Sequence, residues 1–269
     1  MWPRGERLGL LAGVLAGIWI VTHSAQAAGQ GRANIDRNVG AVMTAETIVA
    51  RAIEAAGGET WHRPKSLHLK GYGVFQPRTP GGEVTIADDY QMWRVFDRER
   101  KSAHGPAGWV RIDSKAGERV LFQVSFDGER TYDQNGLVPE EKAKTYWANA
   151  FGFGVIRKAL DPGFTATRLP DDSVESRPSF FIRVTGPAGG DSVFGISKFD
   201  FAIRKVAFDT PRGWHERIYS DFTTDPATGW RQPMLVRLYY DGVKSNEIHW
   251  QEFAVNPELP QAHFQLAIN

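Results

Sequence analysis

The residues of this chain that could do chemistry are scattered. Seven histidines stand at positions 23, 62, 68, 104, 215, 249 and 263, and none is four residues from another, so the paired-histidine spacing of a zinc hydrolase is missing. His215-Glu216 and His249 are the best grouping left for metal or acid–base work, on condition that the last strands bring them together. The plainer reading is a hydrogen-bonded histidine on a half-exposed strand. Asp88-Asp89 and Asp171-Asp172 offer too few oxygen ligands at loop spacing for calcium and read as turn residues. No Gly-x-Ser-x-Gly turn occurs, which removes the nucleophile of an α/β-hydrolase. The absence of cysteine removes thiol catalysis, thiolate metal sites and disulfides. Gly71-Tyr-Gly73 and Gly152-Phe-Gly154 lack the third glycine and the strand-to-helix setting of a phosphate cradle, so both read as structural. No catalytic residue, metal or cofactor is assigned.

What the chain offers instead is apolar surface, with nine tryptophans and sixteen phenylalanines to line a ligand cavity or to pack a sheet. The elements that would position them follow from periodicity. Val138 to Leu160 is the most helical, aromatic-rich stretch after the opening helix. Pro139 suits a first helical position, and Glu140 and Glu141 suit a helix N-terminus. Ala143, Tyr146, Trp147, Ala150 and Phe151 recur at three- and four-residue spacing and share a face, with Lys142, Lys144 and Asn149 elsewhere. Gly152 and Gly154 interrupt the run that carries Phe153, each at a cost of about 1 kcal/mol relative to alanine in a helix, and mark a break or hinge.

Upstream, Thr44 reads as the N-cap of a helix whose stripe is Ile48, Val49, Ala52, Ile53 and Ala56, ended by Gly57-Gly58. Strands are expected at 66–71, 84–96, 108–113, 119–126 and 129–133. After the aromatic stretch they resume at 164–169, 179–185, 191–196, 199–209, 214–223, 232–240 and 245–255, parted by turns such as Asp127-Gly128 and Asp241-Gly242. Leu67 and Leu69 alternate with His68 and Lys70. In 119–126, Val120, Phe122, Val124 and Phe126 fall on one side and Gln123 and Ser125 on the other. The fold class expected is α+β, a large curved antiparallel sheet forming an unclosed half-barrel, with helices over its concave apolar face. No linker or fixed-period repeat divides residues 44–269, which read as one domain behind a leader at 28–43.

Residues 1–27 carry arginines, an apolar run from Leu8 to Val21 and Ala25-Gln26-Ala27, the pattern of a signal peptide cleaved after Ala27. With no cysteine after the run, a lipoprotein cleavage box is impossible. Arg4, Glu6 and Arg7 leave with the segment, so the remaining 242 residues hold 30 basic and 30 acidic side chains. Neutrality without a basic block argues against a nucleic-acid partner.

Several segments carry a family resemblance. They are AAGGETW followed by the strand Lys65-Ser-Leu-His-Leu-Lys-Gly71, then Phe126-Asp-Gly-Glu-Arg-Thr-Tyr-Asp133 with its Asn135-Gly136 turn, and Pro139-Glu-Glu opening an aromatic helix. The loop Thr224-Asp-Pro-Ala-Thr-Gly-Trp-Arg-Gln-Pro233, the ending Glu252-Phe-Ala-Val-Asn-Pro257 and Phe264 complete the set. Over most of 44–266 the chain resembles the LolA/LolB-like outer-membrane lipoprotein-sorting superfamily. The resemblance implies an unclosed barrel whose apolar hollow binds acyl chains of lipoproteins or lipids in the periplasm. The family's lid-locking arginine is not placed by it: Arg94, Arg111 and Arg130 all lie on expected strands.

The expected function is therefore a periplasmic carrier or binding protein, monomeric, for an acyl chain of a lipid or lipoprotein, exchanging with membrane proteins of the envelope. Leu67, Leu69, Phe122 and Phe126 would form the floor, Tyr146, Trp147, Phe151 and Phe153 the lid, and Gly152 and Gly154 the lid hinge. The alternatives are an envelope sensor or interaction module with a filled, dry core, and an enzyme on a lipid-like substrate with a site assembled across strands.

Overall fold

The computed structural model describes residues 43–77, 81–97, 108–147 and 152–266. The signal segment, the leader to residue 42, His104, Asn149, Ala150 and Phe151 lie outside the described residues, and so does the side chain of Phe153.

Helix α1 (Ala45–Ala56) begins where Thr44 accepts a hydrogen bond from the Thr47 N–H at 3.2 Å, satisfying one of the donors every helix start leaves free. Its stripe of Ile48, Val49, Ala52, Ile53 and Ala56 is buried, and each of the larger side chains contributes about 1.5–3 kcal/mol by leaving water. Gly57 ends the helix at φ 130°, where a Cβ would stand 2.9 Å from the Gly229 carbonyl oxygen. A short helix α2 (Gly58–His62), not anticipated from periodicity, then buries Trp61.

Six strands follow: β1 (Ser66–Phe75), β2 (Thr85–Val95), β3 (Trp109–Ala116), β4 (Arg119–Phe126), β5 (Thr131–Asp133) and β6 (Gly136–Leu137). The aromatic stretch supplies helix α3 (Glu140–Trp147) and a 3-10 segment (Gly152–Lys158), so the described part of Val138 to Leu160 is not one α-helix. Seven more strands complete the sheet: β7 (Thr165–Val174), β8 (Arg177–Thr185), β9 (Asp191–Ser197), β10 (Ile203–Thr210), β11 (Gly213–Thr224), β12 (Arg231–Tyr240) and β13 (Val243–Val255). A 3-10 turn, Gln261–Phe264, lies near the end.

All thirteen form one antiparallel sheet in the order β6-β5-β4-β3-β2-β1-β13-β12-β11-β10-β9-β8-β7. The chain starts at the centre with β1 and steps outward to β6. It resumes at the opposite edge with β7 and steps back until β13 pairs with β1. No pairing joins β6 to β7 among the described residues, so the half-barrel is unclosed. These edges are neighbours in sequence, and the described parts of the connection between them, α3 and the 3-10 segment, lie over the hollow, where Tyr146, Trp147 and Arg157 line its cavity. Val155, Ile156 and Ala159 share a core with α1 and with Ile182, Phe194, Ile196 and Val206 of β8 to β10, while Trp147 packs on Val110 and Val124 of β3 and β4.

Four expectations need correction. The strand read as starting at Phe199 starts at Ile203, because Ser197 caps a turn by accepting from the Phe199 and Asp200 N–H groups, and this leaves Phe199 77% exposed. Asp88-Asp89 lie on β2 at a bulge opposite Gly71 to Gly73, and Asp88 accepts from the Gly117 N–H of the neighbouring hairpin at 3.0 Å. Asp171-Asp172 likewise sit at a bulge, in β7, where Asp171 takes Arg168 and Lys198. Neither pair is a turn. In β4 a register shift at Leu121 breaks the alternation, so Val120 is 41% exposed.

Candidate ligand cavity

A cavity of about 780 Å³ lies between the concave face and the crossing segment, within the range of small-molecule sites. The pleat explains its walls. Leu67 and Leu69 of β1, Met92 of β2, Ile112 of β3, Val124 of β4, Val236 and Leu238 of β12 and Ile248 and Trp250 of β13 line it, each on the inward half of its strand's alternation. Cross-strand register carries the inward positions through the sheet: Tyr219 faces Val236, Val236 faces Ile248 and Ile248 faces Gly73. Gly71 is required by close approach, since a Cβ there would meet the His249 carbonyl oxygen at 1.9 Å. This glycine pair is thus structural.

Of the residues expected at the site, Leu67, Leu69, Phe122, Tyr146 and Trp147 line the cavity together. Phe126 does not; it sits one step beyond, edge-on to Trp147 with ring centroids 6.0 Å apart. Trp147 is buried with its indole N–H donating to Thr131 Oγ1 at 2.8 Å, and Tyr146 donates to Asp133 Oδ2 at 3.1 Å, so α3 is pinned to β5. Gly152 and Gly154 fall in the 3-10 segment.

The polar lining was not foreseen. At one end Arg157 donates through Nε to the Trp61 carbonyl at 2.6 Å and lies 4.1 Å above the Trp61 ring, with the Phe96 and Trp230 rings at 5.2 and 5.5 Å. These cation–π contacts make a guanidinium tolerable in an aromatic floor. The signal was one arginine inside the run GVIRKAL. Arg94 also lines the cavity and lies 5.0 Å from Phe96, whereas Arg111 pairs with Asp113 at 2.7 Å and donates to the His263 carbonyl on the outer face, and Arg130 is exposed. Of the three arginines, Arg94 alone faces the hollow.

At the other end β11 presents Arg217 and Tyr219 inward. His215 is 0% exposed; its Nδ1 is 3.0 Å from the Tyr239 carbonyl oxygen and its Nε2 lies 2.9 Å from Arg217 Nε. Since a carbonyl only accepts and a guanidinium only donates, the ring carries its proton on Nδ1 and is neutral. Burial, with the Arg217 charge beside it, pushes its pKa down to about 3. Burial pushes the Tyr219 phenol up to about 12. His215 and His249 do not meet. Strand β12 stands between their strands, Glu216 turns outward to Lys205, and His249 stacks on Tyr72 and bonds Glu247 on the outer face. Among the described residues no group of three or more histidines and carboxylates could hold a metal ion.

No family model matches the chain, and neither does any curated protein sequence. Solved structures do. A LolA superfamily protein from Nitrosomonas europaea superposes with a TM-score of 0.53 at 12% identity, over 83% of this chain and 98% of that one. A putative outer membrane lipoprotein-sorting protein domain from Vibrio parahaemolyticus gives 0.45 at 12% identity, over 82% and 97%. A DUF1329 family protein from Desulfovibrio piger gives 0.47 at 9% identity, over 82% and 97%. At 12% identity the first of these likenesses is one of architecture alone: the chain shares its fold, an unclosed antiparallel half-barrel, with that LolA superfamily protein.

Proposed function

We propose that residues 44–269 act as one periplasmic binding domain that takes up and releases an acyl chain of a lipid or lipoprotein in the hollow of the half-barrel. The observation that carries this reading is the cavity of about 780 Å³, walled by aliphatic and aromatic side chains that the register brings to one face. A sheet whose hollow was filled by its own side chains would favour the sensor alternative; here α1 and the 3-10 segment pack with β8 to β10, and a cavity remains over β1, β12 and β13. Each buried CH₂ contributes about 0.8 kcal/mol, so a 16-carbon chain would gain on the order of 10 kcal/mol before ordering costs. That magnitude permits extraction from a membrane, and binding and release complete the mechanism.

Native mass spectrometry of protein purified from its own host, with identification of the extracted lipid, tests this. An acyl-bearing molecule at one per chain is expected. Folded protein that carries no lipid and takes up no labelled acyl chain would return the fold to a docking or sensing role.

A further inference from the structure

We infer that the end of the cavity at Arg212 and Arg217 is a head-group site, so that the ligand is an amphiphile with a carboxylate or phosphate head and an apolar tail. This rests on the hollow holding an apolar chain, and it adds the chemistry of the other end of that ligand.

A connected ladder runs from the rim inward. Arg212, exposed in the β10–β11 turn, lies 4.0 Å above the Tyr240 ring and is 3.4 Å from its hydroxyl oxygen. Tyr240 packs on His215 with centroids 4.5 Å apart. The neutral His215 accepts from Arg217 Nε, as its bond to the Tyr239 carbonyl requires. That bond takes Nε and fixes the plane of a guanidinium that lines the cavity. An arginine held through its Nε or against an aromatic ring loses little further freedom on binding, and its planar fork matches carboxylate and phosphate.

The setting agrees. Two arginines and one glutamate, Glu83, are the charged lining residues at this end among those described. The hairpins at this edge of the sheet also carry exposed Val84, Ile86, Val120 and Val243. From Arg212 the hollow runs along the strands to Trp61 and Trp230 at its far end. A tail would therefore lie along β1, β12 and β13 with its head at the rim.

Three ligands with the same tail separate head from tail: hexadecanoate, hexadecyl phosphate and the neutral hexadecanol. Wild-type protein should bind at least one of the anions about tenfold or more tightly over the alcohol, and the pair of anions distinguishes a carboxylate head from a phosphate head. In the double variant Arg212→Ala/Arg217→Gln the ratio of anion to alcohol affinity should fall to about one. Should that variant fail to fold, Arg212→Ala alone changes an exposed residue and should lower the ratio by about threefold. Equal affinity for all three ligands in wild type, or an unchanged ratio in the variants, overturns the head-group site and leaves the acyl-binding cavity standing. No binding of any of the three to folded wild type overturns both. Inorganic phosphate that displaces hexadecanoate as well as hexadecyl phosphate does would mark a site for the free anion and overturn the amphiphile.

Discussion

At the level of single side chains, His215 is the most consequential polar group of the hollow. Its neutral state is enforced by burial and by the Arg217 guanidinium that donates to Nε2, while the Tyr239 carbonyl holds the remaining proton on Nδ1. Its folded pKa of about 3 lies below its ordinary value near 6.5, so the unfolded chain takes up the proton first. The sign follows: its contribution to stability is fully present above about pH 6.5 and is lost as pH falls toward 3. Chemical denaturation measured across that window should show stability declining with acid, and His215→Gln should flatten the slope there. An unchanged slope would mean that the imidazole is not the titrating group. Arg157 shows the same principle by different means, since three aromatic rings and the Trp61 carbonyl supply the surroundings that water would otherwise give.

Among the elements, β1 and the crossing segment decide most. Strand β1 is the seam at which the two halves of the sheet meet, and its bulges at Gly71 leave no room for a side chain toward β13. Gly71→Ala should cost about 3 kcal/mol by overpacking against backbone, read as a lower denaturation midpoint with the slope of the transition unchanged. The crossing segment links the sheet's two edges, and its described residues form an α-helix and a 3-10 stretch. Replacing both Gly152 and Gly154 with alanine should slow ligand exchange in stopped-flow fluorescence more than it shifts the thermal midpoint. Exchange at the wild-type rate would assign the segment to core packing alone.

For the molecule as a whole, the cavity arises from an imbalance between sheet and cover. Thirteen strands curve around a hollow that α1, α3 and one 3-10 segment only partly occupy. The core cluster joins α1 and the 3-10 segment to β8, β9 and β10, and the hollow lies over the central strands. Val236 projects into it between Tyr219 and Ile248. Val236→Phe should therefore weaken acyl-chain binding about tenfold or more while changing stability by less than about 1.5 kcal/mol, because added volume enters empty space instead of packed core. Equal binding by the variant and the wild type would place the ligand elsewhere.

The pattern of apolar residues by itself determined the capped first helix, nearly all the strands and the half-barrel class, because alternation, caps and turn residues act over a few positions. It also marked Leu67, Leu69, Phe122, Tyr146 and Trp147, each lying on the apolar face of its own element. What only the tertiary structure decided depends on register and on faces. The bulges at Leu121 and Gly71 moved Val120 outward and drew β13 close to β1. The intervening β12 kept His215 from His249. Strand pairing set His215, Arg217 and Tyr240 in one ladder with Arg212, although the residues lie up to 28 positions apart in the chain. A one-residue slip in any of these pairings would send the same side chains to the opposite face, and so local periodicity reveals the walls of the hollow while long-range register chooses the charges within it.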